Sequence, residues 1–109
     1  MSKGQWVQKT SFVMPLIPES IPMDPTILAL LHCAAFLELS EDDAVDPDGA
    51  VEAMEHVAAY LQRLSPPQVD AFRLALAQLE EYGAKHGFSE ELLELLRDFL
   101  DNSGVGEQN

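Results

Sequence analysis

The fold is decided by residues 24–39, DPTILALLHCAAFLEL. Asp24 before Pro25 is typical of a helix start. The aspartate side chain accepts a hydrogen bond from a backbone amide that has no partner within the helix, and proline has no amide hydrogen that would need such a partner. The residues that follow leave almost no polar face, so a helix over 25–39 has to be covered on most sides. Either it is the central helix of a bundle, or its outer face contacts a second copy of the chain or the N-terminal segment. His32 and Cys33, at its middle, are expected to be core residues.

Three further helix starts follow along the chain. Asp46-Pro47 and Ser65-Pro66 repeat the pattern of a capping side chain before proline, and Ser89 precedes two glutamates. Ser65 and Gln68 also have the spacing of a capping box, in which two orphan amides are satisfied reciprocally. Apolar residues at helical spacing support each segment. The predicted helices are residues 25–39, 47–63, 66–84 and 89–101.

These patterns predict an all-α fold class, a single-domain four-helix bundle over residues 24–101. No segment alternates in the manner of a β-strand, and 109 residues is an ordinary length for one domain. Residues 1–23 contain three prolines and are predicted to form an irregular Pro-rich N-terminal arm. Because the arm is apolar, we expect it to pack on its own domain in preference to a neighbouring subunit. Residues 102–109 are predicted to be a frayed polar tail.

The acidic charge is the main clue to function. The formal net charge is −13, and between Lys9 and Arg63 the chain has ten Asp or Glu residues and no Lys or Arg. Such a charge repels DNA and RNA, whose binding depends on basic side chains, and it disfavours anionic membranes. Basic proteins or cations are the expected partners. The densest acidic stretch is the predicted partner-binding surface, Glu38, Glu41, Asp42, Asp43, Asp46, Asp48, Glu52 and Glu55.

A second acidic patch lies on the last predicted helix, at Glu90, Glu91, Glu94, Asp98 and Asp101. Helical spacing places Glu90, Glu94 and Asp101 on one outer face, which they share with Arg97. Carboxylates arranged in this way can imitate a phosphate backbone or steer a basic partner into fast association.

The sequence contains no pattern that indicates catalysis. A nucleophile with a base and an orienting group is missing, as is a Gly-rich phosphate loop, so we expect a non-enzymatic protein without a cofactor. The histidines and the single cysteine lack the paired spacing of a zinc site. One cysteine also excludes an internal disulfide, and residues 11–17 lack the features of an export signal. We therefore expect a cytoplasmic protein, with no membrane span because the apolar run 27–37 is too short.

Residues 44–55 resemble an EF-hand calcium loop at several positions. Asp46 and Asp48 would occupy the third and fifth positions, and Glu55 the bidentate twelfth. Ala44 departs from the pattern at the first position, where an aspartate is required. The resemblance implies a weak cation site with Asp46, Asp48 and Glu55 as candidate ligands. The alternative is that Asp46 caps the second helix.

Three hypotheses for function follow. The first is a non-catalytic interaction protein that binds a basic partner. In size, charge and helix content it resembles the small acidic helical immunity proteins, which implies an inhibitor that blocks a nuclease. The second is a weak divalent-cation-binding module, and the third is a structural subunit that forms a homodimer through the first helix and the N-terminal arm. An acyl-carrier function is excluded because residues 46–49 read Asp-Pro-Asp-Gly where carriers need Asp-Ser-Leu.

Overall fold

The computed structural model of the protein describes residues 11–105. It consists of four helices: α1 (Pro25–Leu39), α2 (Pro47–Leu61), α3 (Pro66–Lys85) and α4 (Glu90–Asn102). No strand occurs in this range, so the predicted all-α fold class is confirmed. None of the helices in residues 11–105 is long and apolar enough to cross a membrane. The parts of the predicted arm and tail at residues 1–10 and 106–109 lie outside the described residues.

Each helix begins where its capping residue predicted. The four N-caps are Asp24, Asp46, Ser65 and Ser89. At α2, the Asp46 carboxylate accepts a hydrogen bond from the Gly49 amide at 3.0 Å. At α3, the Gln68 side chain accepts from the Ser65 amide at 2.8 Å and the Ser65 hydroxyl accepts from the Gln68 amide at 3.3 Å, which completes the predicted capping box. The starts are therefore set by hydrogen bonds within a few residues of each cap.

Replacing the α2 cap should have a modest and measurable effect. Asp46→Ala is expected to lower the free energy of unfolding by about 1 kcal/mol, because the Gly49 amide loses its acceptor. Urea denaturation followed by far-UV circular dichroism measures this change. Asp46→Asn keeps an acceptor oxygen and should recover most of the loss. Equal losses in the two variants would show that the charge of Asp46, and not its capping bond, stabilises the helix.

The core lies mainly between α3 and α4, which form the most extensive helix pair. Leu79 of α3 and Leu96 of α4 are fully buried, and the rings of Phe72 and Phe99 stack with their centroids 5.9 Å apart. Helix α1 packs against both α2 and α4. Within the described residues it is covered less fully than its apolar composition predicted.

The outer face of α1 is more open than its composition indicates. Leu31, Ala34 and Ala35 are buried, whereas Cys33 and Phe36 are exposed. The expectation that Cys33 is a core residue is therefore wrong, because the helix turns its neighbours on the chain inward and leaves this position in solvent. A homodimer through α1 and the arm stays a prediction.

The described part of the N-terminal arm belongs to the fold. Met14 and Ile17 are buried within the core cluster formed by α1, α3 and α4. The Phe12 amide donates a hydrogen bond to the Ser40 hydroxyl at 2.8 Å, which ties the arm to the end of α1. For residues 11–23, the expectation that the arm packs on its own domain is confirmed. Val13 and Leu16, which lie between these anchors, are exposed.

Residues 103–105 differ from the frayed tail that we expected. Ser103 and Val105 are buried, and the Gln62 side chain donates a hydrogen bond to the Ser103 carbonyl at 2.8 Å. Gly104 adopts a positive φ of 79°, and its amide donates to the Asp101 carbonyl at 3.0 Å. A glycine in this conformation commonly ends a helix and turns the next apolar residue back onto it. The turn brings Val105 into the core.

Candidate functional site

Six acidic residues line a cleft that is formed by three helices. Its first part, about 420 Å³, lies between the end of α1, the loop after it and α2. Its second part, about 340 Å³, lies between the end of α1, α2 and α4. The two parts are adjacent, because four residues line both: Glu38, Met54, Ala58 and Asn102. We call the whole the acidic cleft, after its carboxylates Glu38, Asp42, Glu55, Glu91, Glu94 and Asp98.

Between the carboxylates, the walls of the acidic cleft are apolar. Val51, Met54 and Ala58 line it from α2, and Leu95 and Phe99 line it from α4. Helix α2 packs mainly on α1 and makes little contact with α4, which leaves the cleft open between them. Each Å² of apolar surface taken out of water here would contribute roughly 25 cal/mol to binding before the costs of association. The cleft therefore combines acceptors for cationic groups with an apolar floor.

The basic side chains of the described residues lie outside the acidic cleft. The three ion pairs of residues 11–105 are Arg73 with Asp101, Lys85 with Glu81 and Arg97 with Glu80, at 3.8, 3.6 and 2.9 Å. The hydrogen bond that Arg97 donates to the Glu80 carboxylate, together with the negative charge of Glu80, raises the pKa of Arg97. The Arg63 guanidinium lies over the Tyr60 ring, 4.9 Å from its centroid. Within the described residues, no Lys, Arg or His lines the acidic cleft, and none of the three ion pairs includes a cleft carboxylate.

The predicted partner-binding residues divide into two groups. Glu38, Asp42 and Glu55 line the acidic cleft. The other five are exposed on the loop and the first half of α2 without lining it: Glu41, Asp43, Asp46, Asp48 and Glu52. The predicted surface is therefore split by the structure, and only its cleft side meets the second acidic patch.

The α4 carboxylates of the cleft come from that second patch. Glu91, Glu94 and Asp98 line the cleft together with Leu95 and Phe99, whereas Asp101 pairs with Arg73. Glu94 and Asp101 are both exposed on α4, as their spacing predicted, but only Glu94 lines the cleft. The spacing i, i+3, i+7 of the three cleft carboxylates, interleaved with two apolar residues, is the sequence signal that identifies this face.

The EF-hand-like segment does not form a calcium loop in this structure. Residues 47–55 belong to α2, with Asp46 as its N-cap and Asp48 in its first turn, so the capping interpretation is confirmed. A helical backbone cannot wrap Asp46, Asp48 and Glu55 around one ion. In the part of the chain that the structure describes, no group of three His, Cys, Asp or Glu side chains is placed so that it could hold a metal.

Comparison with known proteins adds no relative to this description. No protein-family model, curated protein or solved structure matches the chain. The function is therefore argued from the chemistry of the acidic cleft. Carboxylates are strong acceptors for the N–H groups of Lys and Arg, and an apolar floor accepts aliphatic or aromatic side chains.

Proposed function

We propose that this protein binds a basic partner protein through the acidic cleft and acts by that contact without catalysis. The observation that carries the proposal is the gathering of six carboxylates from α1, its following loop, α2 and α4 around one apolar floor. Like charges brought together by folding repel one another, and a basic ligand relieves that repulsion when it binds. Arg97 attracts Asp98 from outside the cleft but is hydrogen-bonded to Glu80, and no Lys, Arg or His of the described residues lines the cleft itself.

Electrostatic attraction gives this proposal a kinetic signature. A cleft lined by charges of one sign steers an oppositely charged partner and raises its association rate, and the effect falls with ionic strength. Raising the salt concentration from about 0.1 M to about 1 M shortens the Debye length from about 10 Å to about 3 Å. Partners held by the acidic cleft are therefore expected to dissociate in high salt.

Inhibition is the form of this function that the small size and the charge of the chain favour. An inhibitor or immunity-type protein would use the acidic cleft to cover the basic, phosphate-binding surface of an enzyme such as a nuclease. Phosphate mimicry alone requires only carboxylates. The apolar floor adds a second requirement, that the partner present apolar side chains beside its basic ones.

A matched pair of triple variants tests the proposal. Glu38→Gln, Glu94→Gln and Asp98→Asn remove three charges from the acidic cleft. Glu41→Gln, Glu52→Gln and Asp48→Asn remove the same number from predicted residues outside it. Immobilised native protein and the second variant are expected to retain the same basic proteins from a lysate at low salt and to release them at high salt.

The cleft variant is expected to retain at least about tenfold less of those proteins, corresponding to about 1.4 kcal/mol. Quantitative mass spectrometry of the three eluates measures the difference. Equal retention by the cleft variant and the native protein would refute the proposal. So would retained proteins that carry no excess of Lys and Arg, or loss of retention in both variants alike.

A further inference from the structure

We infer that the element bound in the acidic cleft is a single amphipathic α-helix of about three turns, with apolar residues on one face and Lys or Arg flanking that face. This inference rests on the proposed function and specifies the partner's structure. The ligand helix would lie on the apolar floor of the acidic cleft.

The length of the acidic cleft matches a short helix. Helix α2 lines its first part from Pro47 to Ala58, and α4 lines its second part from Glu91 to Asn102. Met54 and Ala58 line both parts. At 1.5 Å per residue, each of these helical stretches is about 16 Å long, which equals three turns of an α-helix.

The backbone chemistry of the walls favours a helical ligand over an extended one. An extended peptide needs partners for its amide and carbonyl groups, as an exposed sheet edge supplies. The walls here are helices, whose interior backbone groups are already hydrogen-bonded to one another. A helix satisfies its own backbone and needs only side-chain contacts, which the cleft offers.

The floor provides anchor points for one apolar face. Val51 and Met54 of α2 lie one turn apart, and α4 adds the partly buried Leu95. The Val51 side chain is 58% exposed in the free protein, so covering it would remove apolar surface from water. Methionine adapts its flexible side chain to different ligand surfaces. Apolar ligand residues at i, i+3, i+4 and i+7 fit this floor.

Charge selects the rest of the ligand and excludes a second copy of the chain. Carboxylates flank the floor on both walls, with Glu55 on α2 and Glu91, Glu94 and Asp98 on α4. Basic residues on both edges of the ligand's apolar face would meet them. A second copy, with its formal net charge of −13, would be repelled from this cleft.

The test uses three synthetic peptides of about 15 residues, because shorter isolated helices are marginal in water. The first has leucines at helical spacing and lysines elsewhere. The second has the same composition in scrambled order, so it has equal charge and no apolar face. The third keeps the leucine pattern with glutamate in place of lysine. Isothermal titration calorimetry of each peptide with the full chain measures the affinity and the stoichiometry of binding.

The amphipathic basic peptide is expected to bind one to one and at least about tenfold more tightly than the scrambled peptide, with no binding of the acidic peptide. Val51→Ser is expected to weaken the amphipathic peptide about threefold to tenfold and to leave the scrambled one unchanged. Leu74→Ser is the matched control, since Leu74 is 61% exposed on α3 and does not line the cleft. Both positions are exposed, so both variants should fold.

Failure of this inference can be distinguished from failure of the proposed function. If the amphipathic and scrambled peptides bind equally, and both lose affinity with Glu38→Gln, Glu94→Gln and Asp98→Asn, the ligand is basic but not helical. The inference is then wrong while the proposed function stands. If peptide binding is insensitive to that triple variant, or if only the acidic peptide binds, both are wrong.

Discussion

Met14→Ala is expected to lower the free energy of unfolding by about 3 kcal/mol, although the residue lies in a Pro-rich arm outside the four helices. The Met14 side chain is 1% exposed and belongs to the core cluster. Truncation removes its apolar contacts and leaves a cavity that the surrounding helices fill only in part. Urea denaturation of the native protein and the variant measures the loss.

Leu16 offers a control two residues away on the same arm. Its side chain is 85% exposed, so Leu16→Ala should change the free energy of unfolding by less than about 0.5 kcal/mol. Equal, small effects of the two substitutions would show that the arm does not pack on the core in solution. The result matters for the site as well. The Ser40 hydroxyl accepts a hydrogen bond from the Phe12 amide of the arm, and Ser40 lines the acidic cleft.

Gly83→Ala is expected to destabilise the protein by about 2 kcal/mol, even though alanine favours a helix interior by about 1 kcal/mol over glycine. A Cβ atom at Gly83 would lie 2.2 Å from Cδ2 of the Phe88 ring. The Phe88 side chain is 9% exposed, and the turn at Gly87, with φ of 84°, brings it back onto α3. The added methyl group therefore displaces a core aromatic ring.

A double-mutant cycle separates this steric effect from helix propensity. In a Phe88→Ala background the space beside position 83 is free, so Gly83→Ala should become neutral or stabilising by up to about 1 kcal/mol. Thermal or urea denaturation of the four proteins gives the coupling. A stabilising effect of Gly83→Ala in the native background would contradict the close approach of the ring.

Much of the fold was predictable because its signals are local. Asp24, Asp46, Ser65 and Ser89 each cap a helix through bonds that span three residues or fewer, and the helix bounds agree with the predicted ones to within two residues. The burial of the residues that follow α4 was harder to predict from local signals. A glycine signal was present at Gly104, but whether Val105 finds a core to join depends on residues distant in the chain.

The candidate site was predictable only in part. Three carboxylates of the dense stretch from Glu38 to Glu55 line one side of the cleft: Glu38, Asp42 and Glu55. Counting charge along the chain also selected Glu41, Asp48 and Glu52, which lie outside the cleft. Density in sequence does not distinguish the two groups, since neighbouring residues on a loop or helix turn face different directions.

The amino-acid sequence by itself determined the four helix starts, the all-α class and the strong negative charge, because capping, periodicity and ionisation are properties of single residues and their near neighbours. Tertiary structure alone decided that Glu38, Glu55 and Glu94 share one groove. That arrangement depends on α1 packing against both α2 and α4, which make little contact with each other. Packing of this kind is set by the shapes of side chains that meet from distant parts of the chain, which no local pattern encodes.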